Sequence, residues 1–322
     1  MIKSTTQTHR EPVRDPLADI VGTSKAIGDR LRAQILRTLS ADSYSVSELC
    51  YIFDIPQPAL SHHLKVLHQA SLLAKRREGN SIYYSRSAAP NDRLRTGLFD
   101  AIDDVELASP LELRVNRVHA ERHGKSMAFF ANNAHQFADQ QARISSADIY
   151  AHAITDVVGH FPVNNGTLLE VGPGTGEVLE QLAAHCREVV GIDRSQSMLE
   201  QASERAGNLP NVRLRQRDFF ELPAVRKYRT VVAAMVLHHM PSPQLFFQQA
   251  YRVVKANGLL VIAELCRHEH DWVIEACGDI WLGFEARELG HWAIKAGFEP
   301  AESQFLGQKN GFQIQVHGYQ PK

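Results

Sequence analysis

The strongest constraint on this chain is the stretch Leu168-Leu169-Glu170-Val171-Gly172-Pro173-Gly174-Thr175-Gly176. An apolar run, Thr167 to Val171, stops at a loop holding three glycines. Glu177 to Cys186 then reads as a helix, with Val178, Leu179, Leu182 and Ala183 on one side. Strand, glycine loop and helix open a doubly wound α/β domain, and ligands bind where such a loop meets the helix N-terminus. The glycine spacing selects the ligand. A dinucleotide fingerprint is G-x-G-x-x-G. Here the third glycine comes one place early, at Gly176, and Glu177 stands where that fingerprint wants glycine. A carboxylate there is poor company for a pyrophosphate.

A second apolar run, Val189 to Ile192, ends in Asp193, roughly 20 residues beyond the loop, where an acid takes ribose hydroxyls. With Glu170 at the first strand end, the cradle is acidic on both sides, which suits a ribose-bearing cation. These residues resemble the class I S-adenosylmethionine-dependent methyltransferases, whose first motif is E/D-x-G-x-G-x-G. The resemblance runs from about Ser146 to Tyr319. It implies S-adenosylmethionine or S-adenosylhomocysteine as the ligand. Glu170, Gly172, Gly174, Gly176 and Asp193 would form the cradle, with Asp218 and Phe219 after the third strand, Val212 to Gln216, beside the adenine. A fourth, almost wholly apolar strand, Thr230 to Leu237, ends in Leu237-His238-His239-Met240, also similar to the family. Of His238 and His239, lining the cofactor is the expected role, ahead of serving as a base. Asn257-Gly258 is expected to turn into a fifth strand, Leu259 to Leu265, where the family often has K-P-G-G. Phe298 to Leu306 and Phe312 to Tyr319, around Lys309-Asn310-Gly311, give the antiparallel edge hairpin of a seven-stranded sheet. The intervening Cys266 to Phe298 is where such enzymes build substrate specificity.

At 322 residues the chain has room for two domains, and its net charge of −1 means that nucleic-acid binding must come from a local patch. Such a patch lies in the N-terminal third. A helical pattern, Ile27, Leu31, Ile35, Leu36 and Leu39, carries Arg30, Arg32 and Arg37 on its outer side. A short helix, Ser47 to Phe53, with Ser45 or Ser47 as cap, precedes the break Ile55-Pro56-Gln57-Pro58. A third helix follows from about Ala59 to Ala70, then two strands around Glu78-Gly79-Asn80-Ser81. This order is a winged helix-turn-helix, whose second helix enters the major groove. Between Ser61 and Arg86 the only acid is Glu78. The tokens S-E-L, S-H-H-L-K-V-L and R-R-E-G-N-x-x-Y-Y resemble the ArsR/SmtB repressors over roughly Leu17 to Leu107. One departure is Pro56, where many members carry a serine cap. Gln57, Ser61, His62 and Lys65 are expected to read bases, and Arg76, Arg77 and Arg86 to meet phosphates of double-stranded operator DNA. The stripe Leu94, Leu98, Ala101, Ile102 and Val105 on a helix from Arg93 to Leu107 would, as in that family, pair with a second subunit in a homodimer.

No metal is expected. Cys50 keeps the first cysteine of the family's E-L-C-x-C site, but Ile52 replaces the second, and His119 with His123 reads as a solvated pair. The four cysteines are scattered, and neither a signal sequence nor a membrane-spanning run is evident, so a cytoplasmic protein is expected. The expected organisation is a disordered tail over 1–15, an ArsR-type winged helix over 16–108, a helical linker over 109–145 broken near Gly124, and a methyltransferase-like domain over 146–322. Together these imply a DNA-binding transcriptional regulator with the adenosyl ligand as effector. Fused chains of this build resemble the S-adenosylhomocysteine-responsive ArsR-type regulators of the methionine cycle. The alternative is a working methyltransferase on a small acceptor, with an autoregulatory DNA-binding head. Arsenic as acceptor would need convergent thiolates, with Cys186, Cys266 and Cys277 the candidates. No residue stands out as catalytic.

Overall fold

The computed structural model describes residues 15–87, 92–161 and 166–322. The expected tail lies outside them except for Asp15, and the sequence also suggests a turn into the first strand over Pro162 to Gly166, most of which lies outside them too. The chain divides into two compact units, one ending at Glu112 and one beginning at Leu113, with the hairpin tip Arg77–Ile82 counting with the second.

In the first unit α1 (Pro16–Ile27) is capped by the Asp15 carboxylate, which accepts from Leu17 N at 3.0 Å. The chain breaks at Gly28, and Asp29 caps α2 (Arg30–Thr38), accepting from Arg32 N at 3.0 Å. The single pattern expected from Ile27 to Leu39 is therefore split, because Asp29 makes its best hydrogen bond as a cap and not inside a helix. Arg32 and Arg37 do not face outward as expected. Arg32 folds back on the carbonyls of Ala26 and Lys25, and Arg37 Nε donates to Val105 O. β1 (Tyr44–Ser45) leads into α3 (Val46–Phe53), held by a capping box in which Ser45 and Glu48 satisfy each other's backbone N–H. Asp54 ends it in the left-handed region, φ 56°. α4 (Gln57–Gln69) starts at Pro56 without a side-chain cap; Pro58 sits in its first turn, where its missing N–H has no partner to lose. β2 (Leu73–Glu78) and β3 (Ser81–Arg86) form the wing, and the sheet order is β1-β3-β2. Ile35, Leu36, Leu49, Ile52, Leu60 and Leu64 are fully buried and form the core. Each adds about 1.5–3 kcal/mol over an exposed position. α5 (Arg93–Asp103) stops short of the expected Leu107 and has no fully buried residue; Leu94 is 43% exposed.

α6 (Ser109–Ala142) is one helix of 34 residues. The break expected at Gly124 does not occur. One glycine costs about 1 kcal/mol in a helix, which the surrounding turns outweigh.

In the second unit α7 (Ala147–Gly159) precedes an alternating series: β4 (Thr167–Val171), α8 (Glu177–Ala183), β5 (Glu188–Asp193), α9 (Gln196–Ala206), β6 (Val212–Gln216), β7 (Tyr228–Ala234), α10 (Pro243–Val253) and β8 (Val254–Leu265). After the short α11 (Trp272–Ala276) come α12 (Ala286–Ala296), β9 (Phe298–Gly307) and β10 (Gln313–Pro321). The sheet order is β6-β5-β4-β7-β8-β10-β9. β4 to β8 run parallel, while β10 is antiparallel to β8 and β9. This is the seven-stranded sheet with an antiparallel edge hairpin that the sequence implied. β8 begins earlier than expected. Asn257-Gly258 lies within the strand, beside a register shift between Tyr228 and Thr230, and is not a turn before it. Leu168, Val232, Val261 and Val316 share a core with α7, α8 and α9, while Leu169, Val231 and Leu260, next along their strands, are buried on the opposite face. The order reverses between β5 and β7 around β4, so a crevice opens at their carboxyl ends. Among the described residues no helix is long and apolar enough to cross a membrane.

Candidate functional site

The cleft at that switch point is lined by Glu170, Gly172, Gly174, Asp193, Asp218 and Phe219, six of the seven positions named for the adenosyl ligand. Gly172 has φ 67°, and a Cβ there would stand 2.6 Å from Val236 Cγ2, so only glycine lets the loop pass under the cleft. Gly176 differs. It does not line the cleft; it starts α8 at φ 87° with the backbone of Ala202 where a Cβ would be. Its part is to let α9 approach.

Glu170 is 1% exposed, and its Oε2 has no hydrogen-bond partner. Burial, then the charge of Glu177, pushes its carboxyl up to about 8. Asp193 accepts from Ser195 N at 2.8 Å, and burial pushes it up to about 6 against that hydrogen bond. A buried carboxyl with an unused oxygen is costly unless something pairs with it. Asp218 caps a short turn through Phe220 N at 2.9 Å and meets Arg194 Nε at 3.4 Å. Phe219 is almost wholly buried, stacked on Phe246 with centroids 4.7 Å apart, so its ring mainly supports the wall, and the more exposed ring is Phe220.

The helical linker, whose aromatics Phe129, Phe130 and Phe137 suggest a lid over the ligand site, supplies the opposite wall. Phe130 and Phe137 of α6 line the cleft with Met198, Met235 and Tyr150. Met235, at the end of β7, holds φ 53°, a strained setting for a residue with a side chain. The sequence signal for the wall was the aromatic spacing Phe130 to Phe137, two turns apart on one helix face.

His238 and His239 end β7 differently from each other. His239 lines the cleft, edge-on to Phe130 at 5.0 Å between centroids. Burial and the neighbouring His238 hold its imidazole well below the usual range. The His238 ring is away from the cleft and bonds Glu264 through Nδ1, while the His238 backbone N–H donates to Glu264 Oε2 at 3.2 Å. Burial alone would lower His238, but Glu264 and Asp279 outweigh it and push it up to about 9. The three candidate thiols, Cys186, Cys266 and Cys277, are pushed by burial up to about 11, 11 and 12. Among the described residues no ligand-spaced group includes a cysteine.

On α4, Gln57, Ser61, His62 and Lys65 are all exposed, spaced so that they share the face opposite Leu60, Leu64 and Leu67. Arg77 is exposed with Nε donating to Gly79 O at 2.7 Å, and Arg76 is half-buried. Arg86 corrects the expectation. Its side chain is 8% exposed and forks onto Asp103 at 2.7 and 3.0 Å, with Nε donating to Leu36 O. It ties β3 to α5 and α2 and is not available to phosphate.

The model of the bacterial regulatory protein arsR family matches residues 29–75, and that of the methyltransferase domain matches 169–262. The HTH-type transcriptional regulator KmtR of Mycobacterium tuberculosis is 34% identical over 101 residues, 30% of this chain and 75% of that one. The chain belongs to the ArsR family and carries a methyltransferase domain. A 37.1 kDa protein in transposon TN4556 of Streptomyces fradiae is 32% identical over 243 residues, 63% of this chain and 68% of its own length. The chain spans about half the length of the methyltransferases among its curated relatives, 46% and 56% for two of them. A Burkholderia thailandensis 1,6-didemethyltoxoflavin-N1-methyltransferase, solved with its substrate and S-adenosylhomocysteine, shares the fold. It has TM-score 0.53 and 17% identity, covering 68% of this chain and 93% of that one. The protein is thus an ArsR-type DNA-binding regulator fused to a methyltransferase fold.

Proposed function

We propose that the cleft binds S-adenosylhomocysteine or S-adenosylmethionine and that the bound ligand sets the affinity of the ArsR-type head for operator DNA. The observation that carries this reading is the unpaired, buried Oε2 of Glu170 beside the glycine loop. It is an acceptor waiting for an ammonium, and Asp193 stands at the next strand end for ribose hydroxyls. When bound, S-adenosylmethionine would supply a transferable methyl group. The protein's own part is to hold the ligand between Glu170, Asp193 and the loop, and to exclude water with Phe130 and Phe137. Gln57, Ser61, His62 and Lys65 would read the major groove, with Arg76 and Arg77 on phosphates. A homodimer is favoured by the apolar surface left on α1 and α5, where Leu17 is 67% and Leu94 43% exposed. Genes of methionine and adenosylhomocysteine recycling are the regulon this ligand implies. The domain limits proposed with this reading are 16–108, 109–145 and 146–322.

A second reading, methyl transfer to a small acceptor, is favoured by His239. It is a neutral imidazole on the aromatic side of the cleft, placed to hydrogen-bond an acceptor oxygen or nitrogen. The protonated thiols, two of them buried and Cys266 half-buried, do not support arsenic as that acceptor.

The test is calorimetry of both adenosyl ligands with and without operator DNA. Preference for S-adenosylhomocysteine together with a shift in DNA affinity supports sensing. If neither ligand alters operator binding while the protein methylates a small acceptor, the sensor reading fails and the enzyme reading stands.

A further inference from the structure

Behind the cleft, and sharing only His239 with it, the fold assembles a cluster around a buried carboxylate that neither function uses. Asp279, in the segment after α11, is 3% exposed, and neither of its carboxylate oxygens has a hydrogen-bond partner. Two imidazoles face it. His239 Nδ1 is 3.6 Å from Asp279 Oδ1, and His238 Nε2 is 3.9 Å from the same oxygen. Both gaps are too long for hydrogen bonds. One donor atom from each of the three residues falls within a 4.8 Å group. Donors about 2.0–2.2 Å from one tetrahedral ion lie about 3.3–3.6 Å apart, so each of the two gaps to the carboxylate is within a few tenths of an ångström of that spacing.

The surroundings are built for the same purpose. Glu264 bonds His238 Nδ1, which leaves Nε2, 3.9 Å from Asp279 Oδ1, as the ring nitrogen that can meet an ion in place of its proton. A carboxylate holding the far nitrogen of an imidazole is the usual support for a metal-ligating histidine. Glu264 is fixed in turn by the N–H groups of Leu265, at 2.7 Å, and His238. The segment bearing Asp279 is pinned to the histidine turn by Ile280 N and Trp281 N, which donate to His238 O at 2.9 and 3.1 Å. The competing partner of His239 Nδ1 is Gly278 O at 3.4 Å, a weak contact that an ion would displace.

We infer that His238 Nε2, His239 Nδ1 and the Asp279 carboxylate form a binding site for one divalent transition metal of the zinc or cobalt type. Two imidazoles and a carboxylate suit such an ion better than magnesium or calcium, which want mainly oxygen. Three protein donors leave a fourth position, which in such sites takes water or a substrate oxygen. Because His239 also lines the cleft, an ion here would border the space for a methyl acceptor. The site does not depend on the adenosyl reading, and its test needs no adenosyl ligand.

The experiment uses the full, tag-free chain, stripped with a chelator, dialysed and titrated with cobalt(II) while the ligand-field absorption is followed. One equivalent should bind, with a tetrahedral spectrum. Zinc(II) should displace it, and X-ray absorption of the zinc form should show nitrogen and oxygen donors at about 2.0–2.2 Å and no sulfur. Asp279→Asn should weaken uptake at least tenfold. Glu264→Gln, which touches the metal only through His238, should weaken it by about 10–100-fold. Circular dichroism and melting report whether each variant folds, and the wild-type spectra do not depend on the variants. The proposal is overturned if the stripped wild type takes up no cobalt, if sulfur appears in the coordination shell, or if folded Asp279→Asn binds as tightly as wild type.

Discussion

The face of α4 and the cleft of the methyltransferase fold are both binding surfaces, built on opposite terms. Gln57, Ser61, His62 and Lys65 are exposed and meet water until DNA replaces it. Glu170 is buried and Asp193 half-buried, and the cost of ionising away from water raises the pKa of both carboxyls. A polyanion is a large target, bound by releasing its counterions, and exposed side chains suffice. A small ligand presents few groups, so each acceptor must be fixed and dehydrated before the ligand arrives.

The largest effect expected from this contrast is at Asp193. Asp193→Ala should weaken adenosyl-ligand binding about 100-fold, since charged hydrogen bonds are worth about 1.5–3 kcal/mol each. Calorimetry giving a dissociation constant within twofold of wild type would place the ribose elsewhere. Next is Arg86, the basic residue that behaves like the cleft. Arg86→Ala should lower stability by about 2–3 kcal/mol, because it strips a half-buried Asp103 of a forked partner. Denaturant melts would show this. A fully stable variant with impaired DNA binding would return Arg86 to the phosphate set.

A smaller effect is pH-dependent. Folded Glu170 holds its proton to about 8 against an ordinary 4.5. Between those values the folded state binds more protons than the unfolded one. Its contribution to ligand-free stability is therefore greatest below pH 4.5 and falls as pH rises towards 8. Affinity for S-adenosylmethionine should run the other way, rising up to about 50-fold from pH 6 to 8 as the ionised fraction grows. Glu170→Gln should flatten both curves, and a variant that keeps the wild-type slopes assigns them to another group.

Phe130→Ala should leave each unit folded yet reduce the ligand's effect on operator affinity, normally about 1–3 kcal/mol for such coupling. Unchanged coupling in operator titrations would free α6 of that role. The smallest effect is at Arg77. Arg77→Ala should weaken binding to all DNA sequences alike and lower the salt slope by about one unit. A changed base preference at constant slope would count against a phosphate contact.

What the sequence made legible follows how locally each feature is encoded. The cradle is a continuous segment, so the spacing of Gly172, Gly174 and Gly176 and the position of Asp193 announce it. The capping box of Ser45 and Glu48 and the basic wing are equally local. Arg86 was misplaced because its partner Asp103 comes from another element. The grouping of His238, His239, Glu264 and Asp279 was illegible for the same reason: three chain segments meet there, and no spacing encodes the meeting. Gly124 misled in the opposite way, since a local helix-breaking preference lost to the many turns around it.

The unpaired oxygen of Glu170 has a thermal consequence. A carboxyl still protonated near neutrality must surrender that proton before it can accept from a ligand's ammonium. Each binding event then hands part of a proton to the buffer, and the heat recorded includes the buffer's own heat of protonation. In buffers of widely different protonation enthalpy, at one pH and ionic strength, the same complex should register different heats, and their slope counts the protons released.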